Sequence, residues 1–455
     1  MTAPPTHILY LHSHDTGRYI APYGHAVQTP NLQQFAESGV LFRHAFCANP
    51  TCSPSRACLL TGQYAHTNGM MGLAHRGGHI THPEHTLPSH LQSQGYRTVL
   101  AGLQHVRPGD GSQTLADLGY TDDLTAEAKQ TRPGVAGRDE LTVETACAFL
   151  TEHADDRQPF FLDAGFFTTH RLGRDESVDP PVQWHNEDGP PLGDSRYAPV
   201  PPTLPDTPEC RRDFADYAHA VNRLDQYHGQ ILDALDAAGL ADRTLVIITT
   251  DHGIAFPDMK CSLTAHGTGV LLMMRGPGIE GGRVIEGLAS HVDVFPTACD
   301  VAGLPTPDRV QGVSLLPLIR ADDDEASVRD AVFAEVNFHA AYQPMRSVRT
   351  PRYSYIRRLE DAPRVVRPNI DNSPSKSELH HAGLLDQSLP TEELFDLYRD
   401  PTEACNRAGD PAYADALAQM RNRLEQWMTE TNDPALAGPI DDPSITFTSA
   451  DGYDP

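Results

Sequence analysis

The sequence predicts an α/β protein, with a large, mostly parallel sheet sandwiched by helices and a smaller C-terminal α+β subdomain. Three observations predict it. Strand-length apolar runs alternate with helical patterns through the first two-thirds of the chain. Those runs are apolar throughout, as strands covered on both faces are. After "RADDDEASVRD" (Arg320 to Asp330) the pattern changes to alternating strands and one late helix, which divides the 455 residues into 1–325 and 326–455. A chain of this length exceeds what one core usually serves.

"HILYLH" (His7 to His12) reads as a short strand that ends in the polar loop "SHDTG". "NLQQFAESG" (Asn31 to Gly39) has helical spacing and a closing glycine. "YRTVLAG" (Tyr96 to Gly102) and "PFFLDAGF" (Pro159 to Phe166) read as buried strands. Arg171 to Glu209 is rich in Pro, Gly and acidic residues and reads as a long irregular excursion near the site. Phe214, Tyr217, Ala218, Val221, Leu224, Ile231 and Leu235 recur at three and four residues, an amphipathic helix stopped at Gly239. "TLVIITTDHG" (Thr244 to Gly253) is the clearest strand. "AVFAEVNF" and "RYSYIRRL" alternate as strands, and Leu417, Met420, Leu424 and Trp427 mark the late helix. There is no internal repeat.

In a parallel sheet the loops beyond the strand C-ends form the ligand site. Asp15 and Asp251 each fall just past a predicted strand end, as do His105 and His170. Four separate strands therefore deliver Asp or His to one edge. Each Asp reads alternatively as a helix N-cap, and each His as a supporting group.

The chain carries 35 Lys and Arg against 61 Asp and Glu, a formal net charge of −26. That balance repels phosphate backbones and anionic lipid, so neither nucleic acid nor a membrane is an expected partner. A site for a small anion must then concentrate positive charge locally, in a metal or a few Arg, Lys and His. The eight cysteines are sparse and irregular, neither a disulfide framework nor a paired-cysteine zinc site. With no leader-like segment after the N-terminus and no apolar run of spanning length, the expectation is a cytoplasmic protein.

"NPTCSPSRACLLTG" (Asn49 to Gly62) is the dense cluster of reactive side chains. Cys52-Ser53-Pro54-Ser55-Arg56 followed by Leu59-Leu60-Thr61-Gly62 resembles the signature of the sulfatase family. "CSPSRACLLTGQYAHTNGMMGL", "FRHAF", "LPSHLQSQGYRTVLAG", "DHGIAFP", "PMRSV" and "ELFDLYRDPTEACN" resemble its heparan N-sulfatase (sulfamidase) branch, so the likeness runs nearly the full length. It implies an alkaline-phosphatase-like fold, a homodimer, and a small anionic substrate such as a sulfated or phosphorylated sugar or an aryl ester.

The resemblance further implies that a formylglycine-generating enzyme oxidises Cys52 to an aldehyde, which hydrates to a geminal diol. One diol oxygen attacks, and the other hydroxyl allows collapse back to the aldehyde with expulsion of sulfate. On the same basis Arg56 holds the nucleophile's oxygen, His105 takes the proton from the second hydroxyl, and His170 contacts sulfate and protonates the leaving group. Lys260 pairs with sulfate. Asp15, Asp251 and His252 match metal-ligand positions. Arg346, in "PMRSV", either binds substrate or braces the subdomain. Cys58 reads as packing on the helix face, the reading Cys52 would also have outside this motif.

Two departures stand out. His14 occupies the place of the first of a usual Asp pair, as a ligand or a loop histidine. Calcium, the family's usual divalent ion, prefers oxygen shells, whereas one or two imidazoles favour Mn, Fe or Zn. Leu103 stands where relatives carry a sulfate-contacting lysine, and Arg107 or Arg76 could replace it. The expected function is metal-dependent hydrolysis of sulfate esters or sulfamates, an N-sulfo amino sugar among them. Phosphonate monoester or phosphodiester hydrolysis is the alternative, and a non-catalytic sulfo-sugar-binding protein a third reading.

Overall fold

A computed structural model describes residues 6–131, 138–172, 184–185, 193–323 and 326–449. Its first sheet comprises His7–Ser13 (β1), Val40–Phe46 (β2), Arg97–Gly102 (β3), Asp122–Asp123 (β4), Phe160–Gly165 (β5), Thr244–Thr250 (β6), Leu272–Arg275 (β7) and Arg283–Ser290 (β8). Their order is β4-β3-β5-β1-β6-β7-β2-β8. All pairs are parallel except those of β7, which is antiparallel to β6 and β2. Every residue of β1, β5 and β6 is buried. That is why these three strands read as continuous apolar runs.

Alternate residues of β1 feed two cores. Leu9 and Leu11 pack with Phe35, Phe149, Phe214 and Ile231 from the helices Pro30–Ser38, Arg138–Glu152 and Pro208–Ala237. Ile8 and Tyr10 pack with Leu59, Leu91 and Phe295 from the helices Cys52–Thr61, Leu87–Ser93 and Val294–Ala302. The long helix starts at Pro208, where the Thr207 side chain caps the Cys210 amide. It ends just before Gly239, which takes the left-handed conformation at φ 68°. Much of the proline-rich stretch after Arg171 lies outside the described residues.

The second sheet is antiparallel and ordered β12-β11-β10-β9. It comprises Val332–Phe338 (β9), Tyr342–Arg349 (β10), Tyr353–Arg358 (β11) and Glu392–Asp396 (β12). Leu417, Met420, Leu424 and Trp427 of the helix Ala414–Glu430 cover it. Their core also takes in Ala48, Cys58 and Tyr64 from the first part of the chain, and Cys58 is fully buried there. The two sheets are thus sealed by one shared apolar layer, with backbone bonds from Glu335 to Ala48 and Phe338 to Met71 across the seam.

Of the two readings of Arg346, substrate ligand or brace, its contacts favour the brace. Its guanidinium is completely buried on β10 and donates to both carboxylate oxygens of Asp433, at 2.6 and 2.9 Å. Glu335 lies 3.6 Å away and in turn pairs with His66 at 2.8 Å. With its donors committed to these carboxylates and to the carbonyls of Val336 and Met345, the side chain braces the subdomain.

Removing one partner of a buried ion network leaves uncompensated charge, at a cost of about 3–5 kcal/mol. Arg346→Met should therefore lower the unfolding free energy extrapolated from a denaturant titration by that amount, with the midpoint falling in proportion. Against its burial, Glu335 raises the His66 pKa above 6.5. A group raised on folding stabilises most below its unfolded value, and the contribution vanishes as pH climbs through the folded value. The gap in thermal midpoint between the native protein and His66→Gln should be largest below pH 6.5 and close as pH rises, which a Tm–pH series of the two proteins checks.

Candidate active site

Three elements converge at the C-terminal ends of the central strands. β1 runs into His14-Asp15, β6 runs into Asp251-His252, and the helix Cys52–Thr61 points its N-terminus at both. The β6 turn is close-packed: a Cβ on Gly253 would lie 2.0 Å from the His266 carbonyl oxygen. Asp15 takes a left-handed conformation at φ 52°, and its amide donates to Asp251 Oδ1 at 2.8 Å. Such backbone is costly for a non-glycine residue and persists where surroundings enforce it.

One donor atom from each of His14, Asp15, Cys52, Asp251 and His252 falls within 4.8 Å of every other, and all five residues are buried. His14 Nδ1 is 2.8 Å from Asp15 Oδ1 and 3.1 Å from Asp251 Oδ2. His252 Nε2 is 3.2 Å from Asp15 Oδ1 and 3.4 Å from Cys52 Sγ. Two dry carboxylates this close repel, so the site needs positive charge. Arg56 Nη2 donates to Asp251 Oδ2 at 2.9 Å, and Lys260 Nζ is 3.2 Å from Asp15 Oδ2. Burial alone would raise both acids. Lys260, His14 and His252 instead hold Asp15 well below the usual carboxylate range, and His252, His14 and Arg56 do the same for Asp251. A nitrogen-and-oxygen donor set around two ionised carboxylates fits a divalent cation.

Cys52 is the first residue of its helix, where unpaired backbone N–H groups and the helix dipole favour an anion. Burial pushes its thiol well up, with Asp15 and Asp251 adding to the effect against Lys260 and Arg56. An unmodified thiol here stays protonated and is a poor nucleophile.

His170 and His105 ring the cluster. Their rings lie 4.4 and 5.5 Å from that of His14. Burial and neighbouring cations keep His105 neutral, its pKa well below 6.5. His105 also lines a cleft of about 420 Å³ with Leu103, Gln104, Arg107, Lys129 and Phe167. Arg107 therefore shares a cleft with Leu103, whereas Arg76 adjoins His75, whose ring stacks on His105 at 5.8 Å.

Three groups escaped sequence reasoning. Asp371, after β11, places its Oδ2 3.2 Å from Lys260 Nζ. His339, just past β9, is buried beside it; burial and the charge of Lys260 lower its pKa to about 3. Neither sits in a motif. Asp163, paired with His12 at 2.8 Å, did leave a signal, a carboxylate inside the apolar strand "FFLDAGF".

Comparison with known proteins gives this geometry its context. The family model described as Sulfatase matches residues 6–304, and the model described as N-sulphoglucosamine sulphohydrolase, C-terminal, matches residues 262–378. The chain is 32% identical to human N-sulphoglucosamine sulphohydrolase, over 96% of this chain and 92% of that protein. It is 28% identical to an ulvan-active sulfatase of Formosa agariphila, over 99% and 85%. Among solved structures, a protein in complex with its substrate D-glucosamine-2-N,6-O-disulfate shares the fold at TM-score 0.67 and 19% identity, over 96% of this chain and 99% of that one. With a family model covering most of its length, a relative above 30% identity and the family's cysteine motif at the sheet edge, this chain belongs to the sulfatase family.

Proposed function

We propose that the protein hydrolyses sulfate esters or sulfamates on sugars, N-sulfo amino sugars among them, with position 52 as the nucleophile in its formylglycine form. The observation that carries this is the side chain of Cys52 at a helix N-terminus, 3.4 Å from His252 and flanked by Asp15, Asp251, Lys260 and Arg56. The 32% identity to an N-sulphoglucosamine sulphohydrolase supports the sulfamate side of the reading.

Each residue then has a task. Lys260 and Arg56, both buried, bracket the tetrahedral anion and offset its charge, as fixed cations in a dry cleft do most effectively. Neutral His105 accepts the proton released at the nucleophile. His170, whose Nδ1 is held 2.5 Å from the Arg171 carbonyl oxygen, presents its other nitrogen to the leaving group. Asp371 gives Lys260 a second carboxylate besides Asp15. A divalent ion held by His14, Asp15, Asp251 and His252 would lower the pKa of the nucleophile and neutralise charge on the transferred group. The formylglycine requires a modifying enzyme in the same cell, and the sparse cysteines support a cytoplasmic setting.

Leu103 favours one competitor. A site without a lysine there depends less on a sulfate-specific contact, so phosphonate monoesters or phosphodiesters are the second reading. Purified protein assayed side by side on aryl sulfate, aryl sulfamate and aryl phosphonate should favour the first two, and Cys52→Ala should abolish that turnover. A phosphonate rate far above the others overturns the assignment. Binding without turnover of any of the three supports the pseudoenzyme.

Metal analysis of the same preparation should find manganese, iron or zinc in preference to calcium. Stripping the ion should lower the thermal midpoint, because Asp15 and Asp251 lose their counter-charge. In the peptide spanning Cys52, mass spectrometry should find the aldehyde in place of the thiol.

A further inference from the structure

Arg56 is held from two sides. Nη2 donates to Asp251 Oδ2 and to the Ser13 carbonyl, each at 2.9 Å. Nη1 lies 2.5 Å from His12 Nδ1. A guanidinium has only donors, so His12 Nδ1 must be the bare nitrogen and accept. The ring proton then sits on Nε2, 2.8 Å from Asp163 Oδ1, and the other Asp163 oxygen accepts from the Tyr120 hydroxyl. The imidazole cannot readily turn. Tyr10 stacks on it at 4.6 Å, and Gly165 is the residue that makes room, since a Cβ there would lie 2.4 Å from His12 Cε1.

Packing does not explain this chain of polar groups. β1 and β5 are otherwise apolar in this layer, and Asp163 pairs in register with Tyr10 and Leu100. A buried carboxylate there costs desolvation that an aliphatic side chain would avoid. We propose that Asp163 is a positioning residue for the active site: it fixes the tautomer of His12, and His12 so fixed holds the Arg56 guanidinium in line with Asp251 and position 52. The inference rests on the reading of Arg56 as the cation beside the nucleophile.

The isosteric change Asp163→Asn isolates the tautomer. Tyr120 keeps an oxygen to donate to, but the amide NH₂ now faces Nε2, which must accept. The ring proton moves to Nδ1 and meets the N–H of Arg56, donor against donor. The Ser-His-Asp triad shows the same logic when its aspartate becomes asparagine.

The expected result for Asp163→Asn is a 10–100-fold fall in kcat on the best of the three aryl substrates, the usual range for a group one step behind a site. KM should stay close to native, and the variant should remain folded at the assay temperature, with a thermal midpoint lowered by the buried donor-against-donor contact. In a His12→Leu background, adding Asp163→Asn should cost no further activity. Nitrogen-15 shifts of the native protein should report His12 as the Nε2–H tautomer, which serves where a variant fails to fold. The proposal is overturned if Asp163→Asn keeps kcat within about twofold of native, if its loss is the same with and without His12, or if native His12 carries its proton on Nδ1. A native protein inactive on all three substrates defeats the functional reading instead, while the ring-nitrogen shifts still decide this one.

Discussion

Two carboxylates buried against each other, Asp15 and Asp251, set the terms for the rest of the molecule. Both are essentially inaccessible, and the amide of one donates to the side chain of the other. Such a pair stands in a folded chain only with cations and donors supplied from several directions. Lys260 comes from the loop after β6, Arg56 from the helix after β2, and His14 and His252 from the strand ends themselves. The sheet is what makes that supply possible. Parallel strands bring their C-ends to one edge, so residues distant in sequence meet without any local motif joining them.

The second sheet takes part in this arrangement. Asp371 and His339 belong to the C-terminal part of the chain, yet both bear on Lys260. Lys260 pairs with Asp15, just past β1, and with Asp371, in the connection between β11 and β12, and these two acids hold its pKa well above 10.5 despite burial. The shared core of Cys58, Tyr64, Tyr355 and Trp427, with the buried Arg346–Asp433 pair nearby, keeps the two parts in fixed register. Stability at that seam and charge balance at the site are therefore linked, because loosening the seam would leave Asp15 short of a properly held cation.

What the sequence revealed follows from how far each signal is local. β1, β5 and β6 were legible because burial on both faces writes an unbroken apolar run, and the long helix because its stripe repeats every three to four residues. β2 and β10 were harder: Arg43 and His44 interrupt the first, and Gln343, Pro344 and Arg346 the second. The cysteine motif, the two Asp positions and the histidines after β3 and β5 could be found, since a motif or a strand end marks each. Arg346 carried a motif but no sign of its partner, as Asp433 lies 87 residues away. Asp371 and His339 had no mark at all, because their role arises only when the two sheets close together.

Position 103 shows how the charge at the site is apportioned. Leu103 puts an apolar side chain in the cleft beside His105, where Arg107 and Lys129 are the cationic lining. The two cations nearest position 52 are both tied to carboxylates, Arg56 to Asp251 and Lys260 to Asp15 and Asp371. Their net pull on an incoming anion is thus smaller than two free charges would give, and their geometry matters correspondingly more. A tied cation favours the charge distribution it is aimed at, and reorganises little when that charge develops. On this view the buried scaffold of Asp371 behind Lys260, and of His12 and Asp163 behind Arg56, compensates through fixed aim for what the site lacks in number of charges.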